Sequence, residues 1–177
     1  MTFHAPRGIL EHIRLRILYR NAFPKEERKP FSIIKKMQKL GKTDIWCFEE
    51  NGKFLGMAAT INSLDKILID YFAVAKNMRE KGNGGRMLES LIEHYSPRGV
   101  FLEIEIPYRD SDNYEERIRR KAFYLQHGLS EVGTQVKLFG VDMELLSTGF
   151  QMSFDEYREF YLENYSRFAY DNIERIG

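Results

Sequence analysis

One cysteine, one tryptophan, five prolines and no surplus of either charge sign leave this 177-residue chain few special devices. A lone Cys47 has no partner for an internal disulfide, so the fold must rest on packing and hydrogen bonding. Lys and Arg number 27 against 26 Asp and Glu, a net charge of +1. No global field therefore argues for a nucleic-acid or membrane partner, and neither is expected. No run of ~18 apolar residues occurs, so no transmembrane helix is expected. The opening "MTFHAPRGILEHIRLRILYR" has no uninterrupted apolar segment of the signal-peptide kind. Together with the single cysteine this points to a reducing cytoplasm. His4, His12, His94 and His127 show no metal-ligand spacing, so no metal is expected. Internal repeats, linkers and low-complexity segments are missing as well.

What is present is ordinary core material, 43% hydrophobic and 30% charged, enough for one domain of this length. Ile9, Ile13 and Ile17 recur at four-residue spacing, with Leu10, Leu15 and Leu18 beside them, and predict an amphipathic helix ending near Phe23-Pro24. A shorter helix follows Pro30 and stops around Gly41. Ile45 to Glu50 and Lys53 to Ile61 read as strands around Asn51-Gly52, a strong type I′ hairpin signal, and Gly56 marks a bulge. "KILIDYFAV", Lys66 to Val74, is a near-continuous apolar run, as in a central strand covered on both faces.

After a glycine-rich segment, Met87, Leu88, Leu91, Ile92 and Tyr95 form one helical stripe, followed by the strand Val100 to Ile106. Tyr114 to Gln126 reads as a helix closed by Gly128, and two strands meet at Phe139-Gly140-Val141. Ser153-Phe154-Asp155-Glu156 opens a last helix, with Phe154, Tyr157, Phe160, Tyr161, Tyr165 and Phe168 at helical spacing. The order is ααβββαβαββα: a mixed α/β domain over residues 1–150, with an aromatic-rich C-terminal helix over 151–177 packed on it. Cys47 reads as an inert core thiol.

Gly82, Gly84 and Gly85 stand where an apolar strand gives way to a helix. The first N–H groups of a helix lack intrahelical partners and its N-terminal end is electropositive. Glycines let a phosphate reach that bare backbone, and Arg79, Lys81 and Arg86 add charge around it. Gly85 is followed by Arg86-Met87, not Lys-Ser/Thr, which excludes a Walker A loop. Gly82-Asn83-Gly84-Gly85-Arg86-Met87 lacks the third glycine of a dinucleotide fingerprint.

Arg79-Glu80-Lys81-Gly82-Asn83-Gly84 resembles the pyrophosphate loop, Arg/Gln-x-x-Gly-x-Gly/Ala, of the GNAT superfamily of acetyl-CoA-dependent N-acetyltransferases. "LIDYFAVAKNMREKGNGGRMLESL" is similar to that family's strand, loop and helix, and "AFYLQHGL", Ala122 to Leu129, to its Phe-Tyr-x-x-x-Gly-Phe segment. The resemblance covers roughly residues 8 to 147. It implies the acyl-CoA N-acyltransferase-like fold: a central mixed, mostly antiparallel sheet flanked by helices, here with an added C-terminal helix. It also implies direct acetyl transfer from acetyl-CoA to a primary amine in a ternary complex, the acceptor being a small molecule or a peptide. A non-catalytic CoA-binding or sensing domain is the alternative.

By the same resemblance Arg79, Glu80, Lys81, Gly82, Asn83, Gly84, Gly85 and Arg86 hold the pyrophosphate, and Phe72, Ala73 and Val74 pair with the pantetheine arm. Tyr124 matches the tyrosine at the CoA sulfur. Many members carry Asn seven residues before it, touching the CoA arm; here that place holds Arg117, followed by Arg119, Arg120 and Lys121, a basic run that reads as a solvated helix face, with CoA phosphates or an acidic substrate group as the alternative contact. For the general base, Phe101, Glu103 and Glu105 share one strand face, and two carboxylates there suggest a face open to a cleft. Glu103 is the first choice and Asp70 its rival, since the position used by some members is Leu68 here. The aromatic C-terminal helix leaves a homodimer open.

Overall fold

The computed structural model describes residues 1–176, Glu26 by its backbone only. Two compact units form, one from residues 1–62 and 69–90 and the other from 63–68 and 91 onward, so the division falls inside one strand and one helix. The fold is mixed α/β, with mostly antiparallel strands flanked by helices, the class the sequence predicts. Among the described residues no helix is long and apolar enough to cross a membrane.

The first unit holds β1 (Thr2–His4), α1 (Gly8–Ala22), α2 (Phe31–Lys39), β2 (Thr43–Glu50) and β3 (Lys53–Asn62). It also takes the Ile69–Val74 part of β4 (Lys66–Val74), and α3 (Asn83–Tyr95) as far as Ser90. β2 and β3 form the expected hairpin, with Asn51 and Gly52 at φ 51° and 72° as a type I′ turn requires. β1, too short at three residues to show a period, pairs antiparallel with β2 and was not predicted. The His4 ring sits 3.8 Å from Glu11 and 3.7 Å from Glu49, a meeting that sequence spacing did not show.

The face of α1 turned to the core is not the predicted one. Leu15, Leu18 and Tyr19 are buried, whereas Ile9 and Leu10 are 79% and 71% exposed and Ile13 and Ile17 are exposed too. At ~100° per residue the Leu15-Leu18-Tyr19 stripe lies opposite the isoleucine stripe. Apolar residues occupy both faces, so periodicity alone could not choose between them. Leu15, Leu18 and Tyr19 join Ile34, Ile45, Cys47, Met57, Tyr71 and Ala73 in one core, where burial pushes the Cys47 thiol up to about 12.

Gly56 stands beside a bulge, because Phe48 pairs with Gly56 while Glu49 pairs with Phe54. A Cβ on Gly56 would meet the Ala73 carbonyl oxygen at 2.3 Å and Met87 Cε at 2.6 Å. Only glycine admits this approach of β3 to the end of β4.

In the second unit Lys66, Ile67 and Leu68 of β4 pair in parallel with Gly99, Val100 and Phe101 of β5 (Gly99–Glu105). Then follow α4 (Tyr114–Gln126), β6 (Ser130–Leu138), β7 (Val141–Ser147), α5 (Phe154–Asn164), α6 (Arg167–Asp171) and β8 (Ile173–Arg175). Strand β7 lies between β5 and β6, antiparallel to both, and β8 closes on β6. α5 begins with the predicted capping box: the Ser153 N–H donates to Glu156 Oε2 at 2.8 Å and the Glu156 N–H to Ser153 Oγ at 3.3 Å. The helix ends at Asn164 rather than running through Phe168, because Ser166 caps a new helix and turns the chain; Phe168 is exposed.

Gly56→Ala is expected to lower unfolding stability by roughly 1–3 kcal/mol, the usual range for overpacking a tight site. Denaturant titration measures it, and an unchanged midpoint would show that β3 and β4 can part without loss.

Candidate active site

β4 ends at Val74, and the chain passes through a 3-10 turn at Lys76–Met78 into the glycine segment. The Ala75 N–H donates to the Leu55 carbonyl at 2.8 Å, and Arg79 Nε reaches back to the Val74 carbonyl at 3.3 Å. The buried Asn83 side chain donates to the Met78 carbonyl at 2.8 Å, drawing the loop into a closed turn. Glu80 and Gly82 have φ of 60° and 69°. A non-glycine residue in the left-handed region is uncommon and marks a held conformation. Gly84 and Gly85 lie inside the first turn of α3, so of the three glycines Gly82 alone needs a positive φ.

Arg86 is engaged by neighbouring side chains. Its guanidinium donates to both oxygens of Glu50, at 2.7 and 3.0 Å, and to Asn83 Oδ1 at 2.6 Å. Arg86 beside Glu50 holds that carboxyl down at about 2. Lys81 Nζ donates to the Asn77 carbonyl at 3.1 Å. Phe72 and Val74 are half-buried and Ala73 is buried along β4. Asp70, on the Phe72 side of the strand, accepts from Lys29 Nζ at 2.6 Å, with both side chains less than a fifth exposed.

In the second unit Tyr124 is half-buried on α4, its ring 5.2 Å from that of Phe123. Burial pushes its phenol up to about 12, against a smaller opposing pull from the Arg120 guanidinium. Among the described residues its hydroxyl makes no hydrogen bond. Glu103 accepts at Oε1 from the hydroxyls of Tyr157 and Tyr161, at 2.6 and 2.7 Å. The face of β5 carrying Phe101 and Glu103 is therefore not the open cleft wall that its carboxylates suggested. α5 lies on it, with Phe160 edge-on to Phe101 at 5.0 Å, and two buried tyrosine hydroxyls satisfy the carboxylate.

Arg117, expected on the CoA arm, spends its guanidinium on the protein. It donates to Asn113 Oδ1 at 2.7 Å, the Ile106 carbonyl at 2.8 Å and Glu105 Oε1 at 2.7 Å. Arg120 binds Glu105 and Glu116, and Lys121 lies 2.7 Å from Glu144 and 3.1 Å from Glu131. Much of the basic run on α4 is thus an internal ion-pair network rather than a solvated face. Lys29, Glu50, Tyr157 and Tyr161 were missed as site neighbours; only the two tyrosines left a trace in the sequence, their i, i+4 spacing.

Fold and loop together define an acyl-CoA N-acyltransferase-like protein. The chain belongs to the Acetyltransferase (GNAT) family, whose model matches residues 13–127. It is 31% identical over 97 residues to "Putative acetyltransferase YjbC" of Bacillus subtilis (strain 168), an alignment covering 55% of this chain and 48% of that one. The chain thus spans about half the length of the curated relative it matches. Among solved structures it resembles a "Putative acetyltransferase from GNAT family from Bacteroides thetaiotaomicron" at a TM-score of 0.78 and 18% identity, covering 96% of this chain and 98% of that one. It also resembles an aminoglycoside 6'-N-acetyltransferase complexed with coenzyme A, at 0.64 and 16%, covering 83% and 96%. At such identities the likeness is one of fold.

Arg117→Ala is expected to lower stability by roughly 1–3 kcal/mol, by removing the donor to Asn113 Oδ1 and to one oxygen of Glu105; the Ile106 carbonyl keeps the Tyr108 N–H. Acetyl-CoA affinity, measured by calorimetric titration, should stay unchanged. A weakened affinity with intact stability would return Arg117 to the CoA arm.

Proposed function

We propose that this chain is an N-acetyltransferase that moves the acetyl group of acetyl-CoA directly onto a primary amine within a ternary complex. The observation that carries the reading is the closed turn from Arg79 to Asn83, with its left-handed Glu80 and Gly82, opening onto the first turn of α3. Such a turn presents successive backbone N–H groups at the positive end of a helix, the arrangement that binds phosphate. Here it holds the CoA pyrophosphate, while Phe72 to Val74 carry the pantetheine arm along β4.

The amine attacks the thioester carbonyl with its lone pair, the C–S bond breaks, and the electron pair leaves on the CoA sulfur. The amine proton passes to a carboxylate through water, and Glu103, although covered by α5, is the group we assign. Tyr124 serves the leaving thiolate. With its phenol near 12 and a reference thiol near 8.5, full proton transfer would be uphill by about 3.5 units. The tyrosine therefore stays protonated through catalysis and stabilises the thiolate by donating a hydrogen bond. The buried Cys47 suits a reducing compartment, and we assign the protein to the cytoplasm.

One observation favours a second reading, a CoA-binding or sensing domain without turnover: both candidate bases are occupied, Asp70 by Lys29 and Glu103 by two tyrosines. Release of CoA thiol from acetyl-CoA across a panel of primary amines separates the two. Turnover that falls roughly 10²-fold in Tyr124→Phe, with acetyl-CoA affinity kept, supports the enzyme. Glu103→Gln keeps an acceptor for Tyr157 and Tyr161 and should lower kcat at every pH without loss of stability; equal kcat would remove Glu103 as base. Acetyl-CoA binding with no amine turned over leaves the sensor. No thermal shift with acetyl-CoA, where ~2.7 kcal/mol is expected at 100 times the dissociation constant, would end both readings.

A further inference from the structure

Within the first unit, between the second half of α1 and the start of α2, lies a cavity of about 390 Å3. Arg16, Arg20, Lys25, Arg28 and Lys29 line it, and its described lining contains no carboxylate. Lys29 is held by Asp70, while the other four make no ion pair among the described residues. In a chain of net charge +1 such crowding is not a by-product of composition. Like charges brought together repel, and the arrangement costs free energy unless an anion joins it. Arg28 sharpens the point, because its Nε is buried and, among the described residues, donates to nothing. A buried donor without an acceptor is rare and calls for a ligand or a function.

The corner is also rigid. The Tyr19 hydroxyl donates to the Lys29 carbonyl at 2.9 Å, and the Tyr71 hydroxyl donates to the Glu27 carbonyl at 2.9 Å while accepting from the Lys29 N–H at 3.0 Å. Both tyrosines are buried, so the segment bearing Arg28 and Lys29 is fixed before any ligand arrives. α2 starts at Phe31 without a side-chain cap, adding the positive end of a nine-residue helix.

We propose that this corner is an anion subsite and that the amine accepting the acetyl group carries a carboxylate or phosphate held there. The inference rests on the acetyltransferase reading above and adds the substrate class. The link to the chemistry is Lys29, whose ammonium lies on Asp70, two residues and roughly 7 Å along β4 from Phe72. An acceptor anchored by its anion thus extends toward the strand assigned to the acyl donor. Polycationic amines are repelled from the same corner, which sets this chain apart from the aminoglycoside enzyme whose fold it shares.

Titration calorimetry of the CoA-saturated protein with O-phosphoethanolamine, β-alanine, ethanolamine and spermidine tests the proposal. The phosphate or the carboxylate amine should bind at least tenfold tighter than ethanolamine, with spermidine weakest; the two anionic arms tell phosphate from carboxylate. High salt should erase the preference. Arg28→Gln and, on the exposed helix surface, Arg16→Gln should each weaken the anionic amine several-fold while leaving the acetyl-CoA dissociation constant unchanged. Equal binding of all four amines, binding of none, or preference for spermidine overturns the subsite, as does loss of acetyl-CoA affinity in the variants, which would make it a CoA-phosphate site. Failure of acetyl-CoA itself to bind the native protein is a different result and defeats the acetyltransferase reading instead.

Discussion

The close approach of β3 to the end of β4 is the constraint on which the glycine loop, the proposed CoA site, depends. Gly56 has no side chain, so the Ala73 carbonyl and Met87 can occupy the space a Cβ would need. With the strands that close, the Ala75 N–H reaches Leu55, and β4 stops at Val74. Arg79 then anchors on the Val74 carbonyl and Asn83 on that of Met78, so each hydrogen bond sets the position of the next. Met87, Leu88 and Leu91 are fully buried along α3 and hold the helix whose first turn receives the loop. The glycines do their work at the end of this sequence of contacts, not by themselves.

A second regularity is the treatment of carboxylates on strands. A carboxylate leaving water loses solvation that only donors can replace. Asp70 receives Lys29, Glu103 receives two tyrosine hydroxyls, Glu105 receives two arginines and Glu144 receives Lys121. These donors come from α4, α5 and the segment between α1 and α2. Acidic residues that read as catalytic candidates are therefore also what fixes those segments to the strands. Tyr124 differs, being desolvated with no hydrogen-bonding partner among the described residues.

Net charge averages away local electrostatic features. A balance of 27 to 26 contains a corner lined by five cations, and elsewhere charges pair off as Arg86 does with Glu50 and Lys121 with Glu144. A net charge near zero means only that the chain has no large global field. It says nothing about a pocket a few ångströms across, where local geometry sets the potential.

The sequence by itself determined the strands and helices with strong local signals: the Asn51-Gly52 hairpin, the apolar run of β4, the capping box of α5, and the Arg79–Gly84 loop. Each is encoded within a few consecutive residues, because turn chemistry, periodicity and bare backbone are local properties. The tertiary structure alone decided which face of α1 is buried, that α5 covers Glu103, that Arg117 serves Glu105, and that Arg28 and its neighbours converge. Those outcomes join residues far apart in the chain. α1 carries apolar residues on both faces, and a carboxylate or guanidinium carries no mark of its partner. Only packing chooses between them.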